Sequence, residues 1–364
     1  MKAVVFYGEN DLRFQELPKP KTPAGGVLVK VKACSICGSD LRTIRHGHAA
    51  IKEPRVLGHE TVGIIEELGE GVTEWKEGDR VAITPGIGCG VCASCRSGFQ
   101  NMCYTRKTIS QHYDGGFAEY VAVPYEALRA GNLNRIPQGV GFLEASLAEP
   151  LACVLNGQED LQIRKGDVVA VIGAGSIGIL HCMAAYAAGA AKVILLNRSG
   201  GRLREAERFG FDAYVDLSLQ DGAEAVKELT EGRGADVVIV AAGAAEALTL
   251  GIQMAAKMGK VSMFAGLPKS SPEVLLNINE LHYRQISLHG AFSSAPRHNK
   301  MALELIGSGK LKPQRLITHL VGLEKMTEGV EAAESRKALR AVISPCVEEL
   351  LEETKQYDWI KTIS

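Results

Sequence analysis

Between Gly88 and Cys103 the chain reads GCGVCASCRSGFQNMC, which places four of its nine cysteines within fifteen residues. The order Cys89-x2-Cys92-x2-Cys95-x7-Cys103 offers four thiolates on one short loop, the ligand set of a closed, tetrahedral zinc ion. Gly88, Gly90 and Gly98 leave the backbone free to wrap around an ion. A redox pair or a set of buried cysteines is the competing reading of the same spacing. A metal with all four positions filled by protein braces a loop and leaves no place for substrate. Catalysis is therefore expected elsewhere.

A second set of ligand-type residues is spread along the chain. Cys37 lies in CSICGSD with Ser39 and Asp40, His59 and Glu60 follow in GHE, and Glu149 stands in EASLAEPLACVLNG. A thiolate, an imidazole and a carboxylate suit a catalytic zinc, which takes three protein ligands and keeps one open position. Asp40 is placed to accept the second ring N–H of His59 and fix its tautomer. Taken singly, such a Cys37 is more often a small buried hydrophobe and such a His59 more often a core or surface histidine. Their co-occurrence with the four-cysteine loop is what suggests a site. Cys34, Cys153, Cys182 and Cys346 fall outside both sets and read as ordinary residues.

From Asp167 the pattern changes to DVVAVIGAGSIGILHCMAAYAAGA: a β-branched run, then Gly173-x-Gly175-x-x-Gly178 enclosing Ser176 and Ile177, then an Ala-rich helix. In that context the glycines provide a tight turn, close approach of backbone to a pyrophosphate, and close helix–strand packing. AKVILLN, ADVVIVAAG, GKVSMFAG and RQISLHGAF read as further strands, with helices over GRLREAERFG and DGAEAVKELTE between them. Continuous apolar strands alternating with helices predict a parallel sheet covered on both faces. Where an NAD site carries an acidic residue, about 20 residues past the fingerprint, this chain has Asn197 followed by Arg198. Asparagine does not repel a 2′-phosphate, Arg198 can pair with one, and Arg202 adds charge. NADP or dual use is the expectation, against the reading of Arg198 as a solvated loop residue.

The elements that must hold these residues need room. A chain of 364 residues predicts two domains. A net charge of −1 with no basic block argues against a nucleic-acid or membrane-surface partner and leaves a small-molecule substrate. No apolar run reaches about 18 residues, and the apolar stretch of MKAVVFYGENDLRFQEL is too short for a signal peptide. A cytoplasmic protein with reduced thiols is expected.

With both ligand sets followed by the glycine fingerprint in this order, the chain resembles the zinc-dependent medium-chain dehydrogenases/reductases. The resemblance runs from residue 1 to about 345, through CGSD, GHE, CGVCASCRSGFQNMC, GGFAEYVAVP, EPLACVLNG and GAGSIG. It implies an α/β protein: a GroES-like β-rich catalytic domain over residues 1–150, completed by 291–364, and a Rossmann domain with a doubly wound parallel sheet over 151–290. It further implies an active site in the cleft between them, one catalytic and one structural Zn2+ per subunit, NAD(P), and a homodimer or homotetramer.

Glu149 within EPL resembles the polyol or sorbitol dehydrogenase branch. There the resemblance makes Cys37 and His59 fixed ligands, Glu60 and Glu149 alternates, and Ser39 the hydroxyl that passes the alcohol proton outward. The implied reaction moves hydride between a secondary alcohol of a polyol, cyclitol or sugar and NAD(P). Phosphorylated polyols, with Arg42, Arg45 and Arg297 as phosphate partners, and L-threonine are alternatives, as is a non-catalytic superfamily relative.

Three departures from the family pattern stand out. Arg42 occupies the place of a proton-relay histidine, with His46 or His48 as substitutes or plain loop residues. Ser293 or Ser294 replaces a substrate-side arginine. The segment CVEELLEETKQYDWIKTIS extends past the usual end, and an amphipathic helix offering Leu350, Leu351, Tyr357, Trp359 and Ile360 for structural or subunit packing is expected there.

Overall fold

Strands rich in Val and Ile build the framework on which the candidate residues sit. The computed structural model describes residues 1–355 and 357–364. Contacts divide the chain into one unit formed by Met1–Ala152 and Ser293–Ser364 and another formed by Cys153–Phe292.

In the first unit, Val27–Ser35 buries every residue except Lys30 and lies inside an eight-stranded sheet. It pairs antiparallel with Glu60–Leu68, Tyr120–Val123 and Ala341–Ser344. The register sets Ser35 opposite both Glu60 and Val342. Val27, Val29, Val31, Ile65, Val81, Ile83, Val121 and Val123 form one apolar core below it. Each such side chain contributes about 1.5–3 kcal/mol on full burial. That core holds fixed the strand ends where Cys37, His59 and Glu60 emerge.

The tail differs from expectation. Its helix spans only Val347–Thr354, and Lys361–Ile363 then forms a strand parallel to His319–Gly322 at the edge of the eight-stranded sheet. Leu350 and Tyr357 are buried, Leu351 is exposed, and Tyr357, Trp359 and Ile360 lie beyond the helix. The helical period holds over the apolar Val347 and Leu350, and the aromatic, β-branched run that follows suits an extended strand.

In the second unit six strands run parallel in the order Ala213–Asp216, Lys192–Asn197, Val168–Ile172, Ala235–Val240, Ala255–Met263, Ser287–Gly290. Every residue of the central Val168–Ile172 is buried, as a strand covered on both faces requires. The helices Ser176–Ala188, Gly200–Glu207, Gly222–Glu228, Ala245–Met254 and Ile278–Arg284 alternate with the strands. Among the described residues, no helix is long and apolar enough to cross a membrane.

Candidate metal centres and cofactor turn

Where Val27–Ser35 ends, the chain turns through Cys37 into the helix Gly38–His46, for which Cys37 is the N-cap. The paired strand Glu60–Leu68 starts beside that point, so the register brings His59 and Glu60 to Cys37. The candidate ligand atoms of Cys37, His59 and Glu60 lie within 4.8 Å of one another. Tetrahedral zinc with thiolate and imidazole ligands separates its donors by roughly 3.5 Å, so the set fits one ion by both spacing and donor type.

Asp40 is buried and holds this corner from two sides. Its Oδ2 accepts the backbone N–H of Cys37 at 3.0 Å, and its Oδ1 lies 3.1 Å from His59 Nδ1. With Nδ1–H donating to the carboxylate, Nε2 is the ring atom left for a metal. Ser39 Oγ lies 3.4 Å from that Nε2.

Glu60 is fully buried and paired with Arg340, whose Nη1 donates to Oε1 at 3.1 Å, to Oε2 at 3.2 Å and to the Ile36 carbonyl at 2.9 Å. Glu149, on the helix Ala148–Glu159, is also buried; its charge acts on Glu60 and Arg340, and it stands outside the three-residue ligand group. Arg340 was missed in the sequence. Its only signal there was a lone charge entering the apolar run of LRAVIS.

The pocket is dense in charge. Burial pushes the Glu60 carboxyl well above the usual carboxylate range, which Arg340 opposes while Cys37 and Glu149 reinforce it. Burial would raise the Cys37 thiol, but His59, by charge and hydrogen bond, and Arg340 hold it below its usual range. Burial opposes a charge on His59, yet Asp40 and Cys37 hold the imidazole well above its ordinary value. A dication bound to these donors takes the place of the protons they otherwise share.

The Cys89–Cys103 loop is built locally. Its four sulfurs also lie within 4.8 Å of one another, with Cys89 and Cys95 Sγ 3.9 Å apart. Four thiolates on tetrahedral zinc stand about 3.8 Å apart. The Cys89 N–H donates to Cys103 Sγ at 3.3 Å and the Cys92 N–H to Cys89 Sγ at 3.4 Å. The backbone N–H groups of Val91 and Cys92 bring the Cys89 thiol down to about 6. Burial pushes Cys95 up to about 12. Backbone donors already stabilise negative sulfur before any ion binds.

In the second unit the glycine turn is as tight as its sequence requires. Gly173 has φ +118°, and a Cβ on Gly178 would lie 1.7 Å from the Gly173 carbonyl oxygen, a position only glycine can occupy. The helix Ser176–Ala188 opens directly after Gly175, with Ser176 and Ile177 half-buried in its first turn. Arg202 Nη1 sits 3.4 Å from where a Gly175 Cβ would stand. Asn197 Oδ1 accepts the Ala174 N–H at 3.2 Å, and its Nδ2 donates to the Ser199 carbonyl at 2.9 Å. Arg198 is exposed. A turn with no side chain over it, at a helix N-terminus, fits a pyrophosphate.

Several other anticipated residues are engaged elsewhere, and two are exposed. Arg45 bonds Glu334 and Asn10, and Arg297 donates to the Gly98 carbonyl and lies over the Phe99 ring. Arg42 and His46 are exposed, and His48 Nδ1 accepts the Ala50 N–H within its own loop. Ser294 is buried, and Ser293 Oγ accepts from Arg106 Nη1 at 3.1 Å.

A β-rich unit with an open Cys–His–Glu site and a four-thiolate loop, and a parallel-sheet unit with a dinucleotide turn, define a zinc-dependent dehydrogenase. Comparison with known proteins agrees. The alcohol dehydrogenase GroES-like domain family matches residues 23–131 and the zinc-binding dehydrogenase family matches residues 176–308. A sorbitol dehydrogenase of Halalkalibacterium halodurans is 36% identical over 353 residues, covering 95% of this chain and 99% of that protein. The D-xylulose reductase A of Aspergillus oryzae is 32% identical, covering 94% and 96%. The crystal structure of a protein described as a zinc-binding dehydrogenase from Sinorhizobium meliloti, bound to NADP, superposes with a TM-score of 0.87 at 32% identity, covering 94% and 99%. The chain belongs to the zinc-dependent medium-chain dehydrogenase/reductase family. It is a zinc- and NAD(P)-dependent oxidoreductase of small alcohols, with a GroES-like unit and a Rossmann-type unit.

Proposed function

We propose that the enzyme oxidises a secondary alcohol of a polyol, cyclitol or sugar, reversibly, with NADP or with both nicotinamide cofactors. The observation that carries this is the Cys37–His59–Glu60 cluster with a further buried carboxylate, Glu149, beside it. Carboxylates around the open position offer acceptors for hydroxyls next to the reacting one. The sorbitol dehydrogenase and D-xylulose reductase relatives support the same substrate class. The engagement of Arg45 and Arg297 disfavours the phosphorylated alternative.

When bound, zinc polarises the substrate oxygen and the nicotinamide accepts the hydride. Cys37 and His59 hold the metal, and Asp40 keeps His59 Nε2 turned towards it. Glu60 or Glu149 would supply the further oxygen ligand, with Arg340 fixing the position of Glu60. Ser39, next to His59 Nε2, takes the alcohol proton towards solvent. Cys89, Cys92, Cys95 and Cys103 hold the structural ion.

In the other unit, Gly173, Gly175, Ser176, Ile177 and Gly178 cradle the pyrophosphate, while Asn197, Arg198 and Arg202 face the 2′ position of the ribose. The NADP seen in the Sinorhizobium relative supports the latter. We assign the catalytic domain to residues 1–150 and 291–364 and the cofactor domain to 151–290, a reading that the two contact-defined units support. A cytoplasmic homodimer or homotetramer completes the proposal. The edge strand Ser287–Gly290, with Leu288 exposed and Ile278 and Tyr283 exposed on the adjoining helix, supports the self-association.

A nicotinamide fluorescence screen of the zinc-loaded protein tests this, crossing NAD and NADP with polyols, cyclitols, phosphorylated polyols and threonine, with a chelated control. Chelator-sensitive turnover of an unphosphorylated polyol is expected. Preference for a phosphorylated polyol or for threonine would overturn the substrate assignment, and no turnover despite bound zinc and cofactor would overturn the reading itself. In the same assay Asn197→Asp should weaken NADP relative to NAD by about tenfold, the cost of one misplaced charge. An unchanged ratio would remove Asn197 from cofactor selection.

A further inference from the structure

We propose that the C-terminal segment from Cys346 to Ser364 positions Glu149, with Glu353 as the positioning residue; the inference rests on the role given to Glu149 above. The Glu353 carboxylate caps the short helix Phe142–Ala145. Its Oε1 accepts the Phe142 N–H and its Oε2 the Leu143 N–H, each at 3.0 Å. Gly141 makes the approach feasible, since a Cβ there would lie 2.5 Å from Glu353 Oε2. Tyr357 reinforces the cap: its hydroxyl donates at 3.0 Å to Glu144 Oε1, while Glu144 Oε2 accepts the Gly141 N–H at 3.3 Å.

From the capped turn to Glu149 the chain has no slack. Leu143, Ala145, Leu147 and Ala148 are fully or almost fully buried. Successive bonds join Ala145 N–H to the Gly141 carbonyl, Ser146 Oγ to the Leu143 carbonyl, and Leu147 N–H to the Glu144 carbonyl. Glu149 follows two residues later, in the first turn of Ala148–Glu159. In a close-packed interior a shift of the cap is transmitted along such a run instead of being absorbed.

The same tail also reaches the strands that lead to Arg340. Trp359 Nε1 donates to the Ile317 carbonyl at 3.1 Å, and Lys361–Ile363 pairs with His319–Gly322. That strand pairs in turn with Ala341–Ser344, the strand that follows Arg340. Glu349 pairs with the buried Lys32, anchoring the tail helix to Val27–Ser35. The tail thus ties the support of Glu149 to the support of Arg340, and so sets the spacing of two of the groups that bear on Glu60.

The test uses the full chain loaded with cobalt(II) and, separately, with zinc, comparing wild type, Glu149→Gln, Glu353→Gln and Tyr357→Phe. Glu353→Gln should shift the ligand-field bands of the open site in the direction set by Glu149→Gln, with the bands of the four-thiolate site unmoved. Its kcat should fall about tenfold, in the range lost when a group supporting a metal ligand is removed. Tyr357→Phe, the milder variant, should move both readouts less in the same sense. A lowered Tm with wild-type bands and wild-type kcat in both tail variants would overturn the inference and leave the tail a stabilising element only. If Glu149→Gln itself is silent, the role given to Glu149 fails and this inference with it. An effect of Glu149→Gln with silent tail variants defeats this inference alone.

Discussion

All four ligands of the Cys89–Cys103 cluster come from one loop, whereas Cys37, His59 and Glu60 meet only because Val27–Ser35 pairs with Glu60–Leu68. The loop prepares its sulfurs with its own backbone N–H groups. The open site draws its control from several segments: Asp40 from the helix that Cys37 caps, Glu149 from another helix, and Arg340 from a position 280 residues beyond Glu60. A locally closed cluster brings metal and loop together as one folding event. An assembled cluster needs the whole sheet first, and in return its charge can be adjusted from several sides. The first arrangement suits bracing and the second suits chemistry.

The largest effect expected from breaking the assembled side comes from Cys37→Ser. It should lower zinc content from two ions to one per chain and reduce turnover roughly a thousandfold, the several kcal/mol that metal polarisation supplies. Turnover retained after loss of that ion would erase the distinction between the sites. Next is Arg340→Met, which leaves the Glu60 carboxylate buried without its ion pair. Urea denaturation should then show a loss of about 3 kcal/mol, as for other broken buried pairs. An unchanged midpoint would mean that Arg340 contributes nothing to the assembled site.

The smallest effect on chemistry should come from Cys95→Ser on the local side. Elemental analysis should again show one ion lost and Tm should fall by about 5 °C or more, while kcat of the folded enzyme stays within about twofold. A large fall in kcat at a preserved Tm would show that the loop communicates with the reaction.

What the sequence disclosed follows the same division. Cys89, Cys92, Cys95 and Cys103 were legible because their spacing is their geometry. The glycine turn was legible because Gly173, Gly175 and Gly178 answer to local sterics, as the 1.7 Å approach at Gly178 makes plain. The open site was legible from residue types and their co-occurrence with the four-cysteine loop, not from spacing, since nothing in the separation of Cys37 and His59 says that strand register will join their elements. Arg340 was invisible for the same reason: its partner is fixed by two strand pairings and not by any local pattern. The tail misled in a different way. Apolar residues from Leu350 to Ile360 suggested one helix, but the helix ends at Thr354, and Tyr357 and Trp359 beyond it donate to Glu144 and to the Ile317 carbonyl, long-range partners that no local pattern announces.

Asn197 carries two burdens on one side chain. Its oxygen fastens Ala174 in the glycine turn and its nitrogen fastens Ser199 in the following loop. An aspartate keeps the first bond and forfeits the second, because a carboxylate has no N–H to give. If this position selects the cofactor, as proposed above, the exchange Asn197→Asp would therefore also cost the loop its tie to the Ser199 carbonyl. A second substitution that restores a donor to the Ser199 carbonyl would offset that loss, so a change of preference made by one residue here would be completed by two.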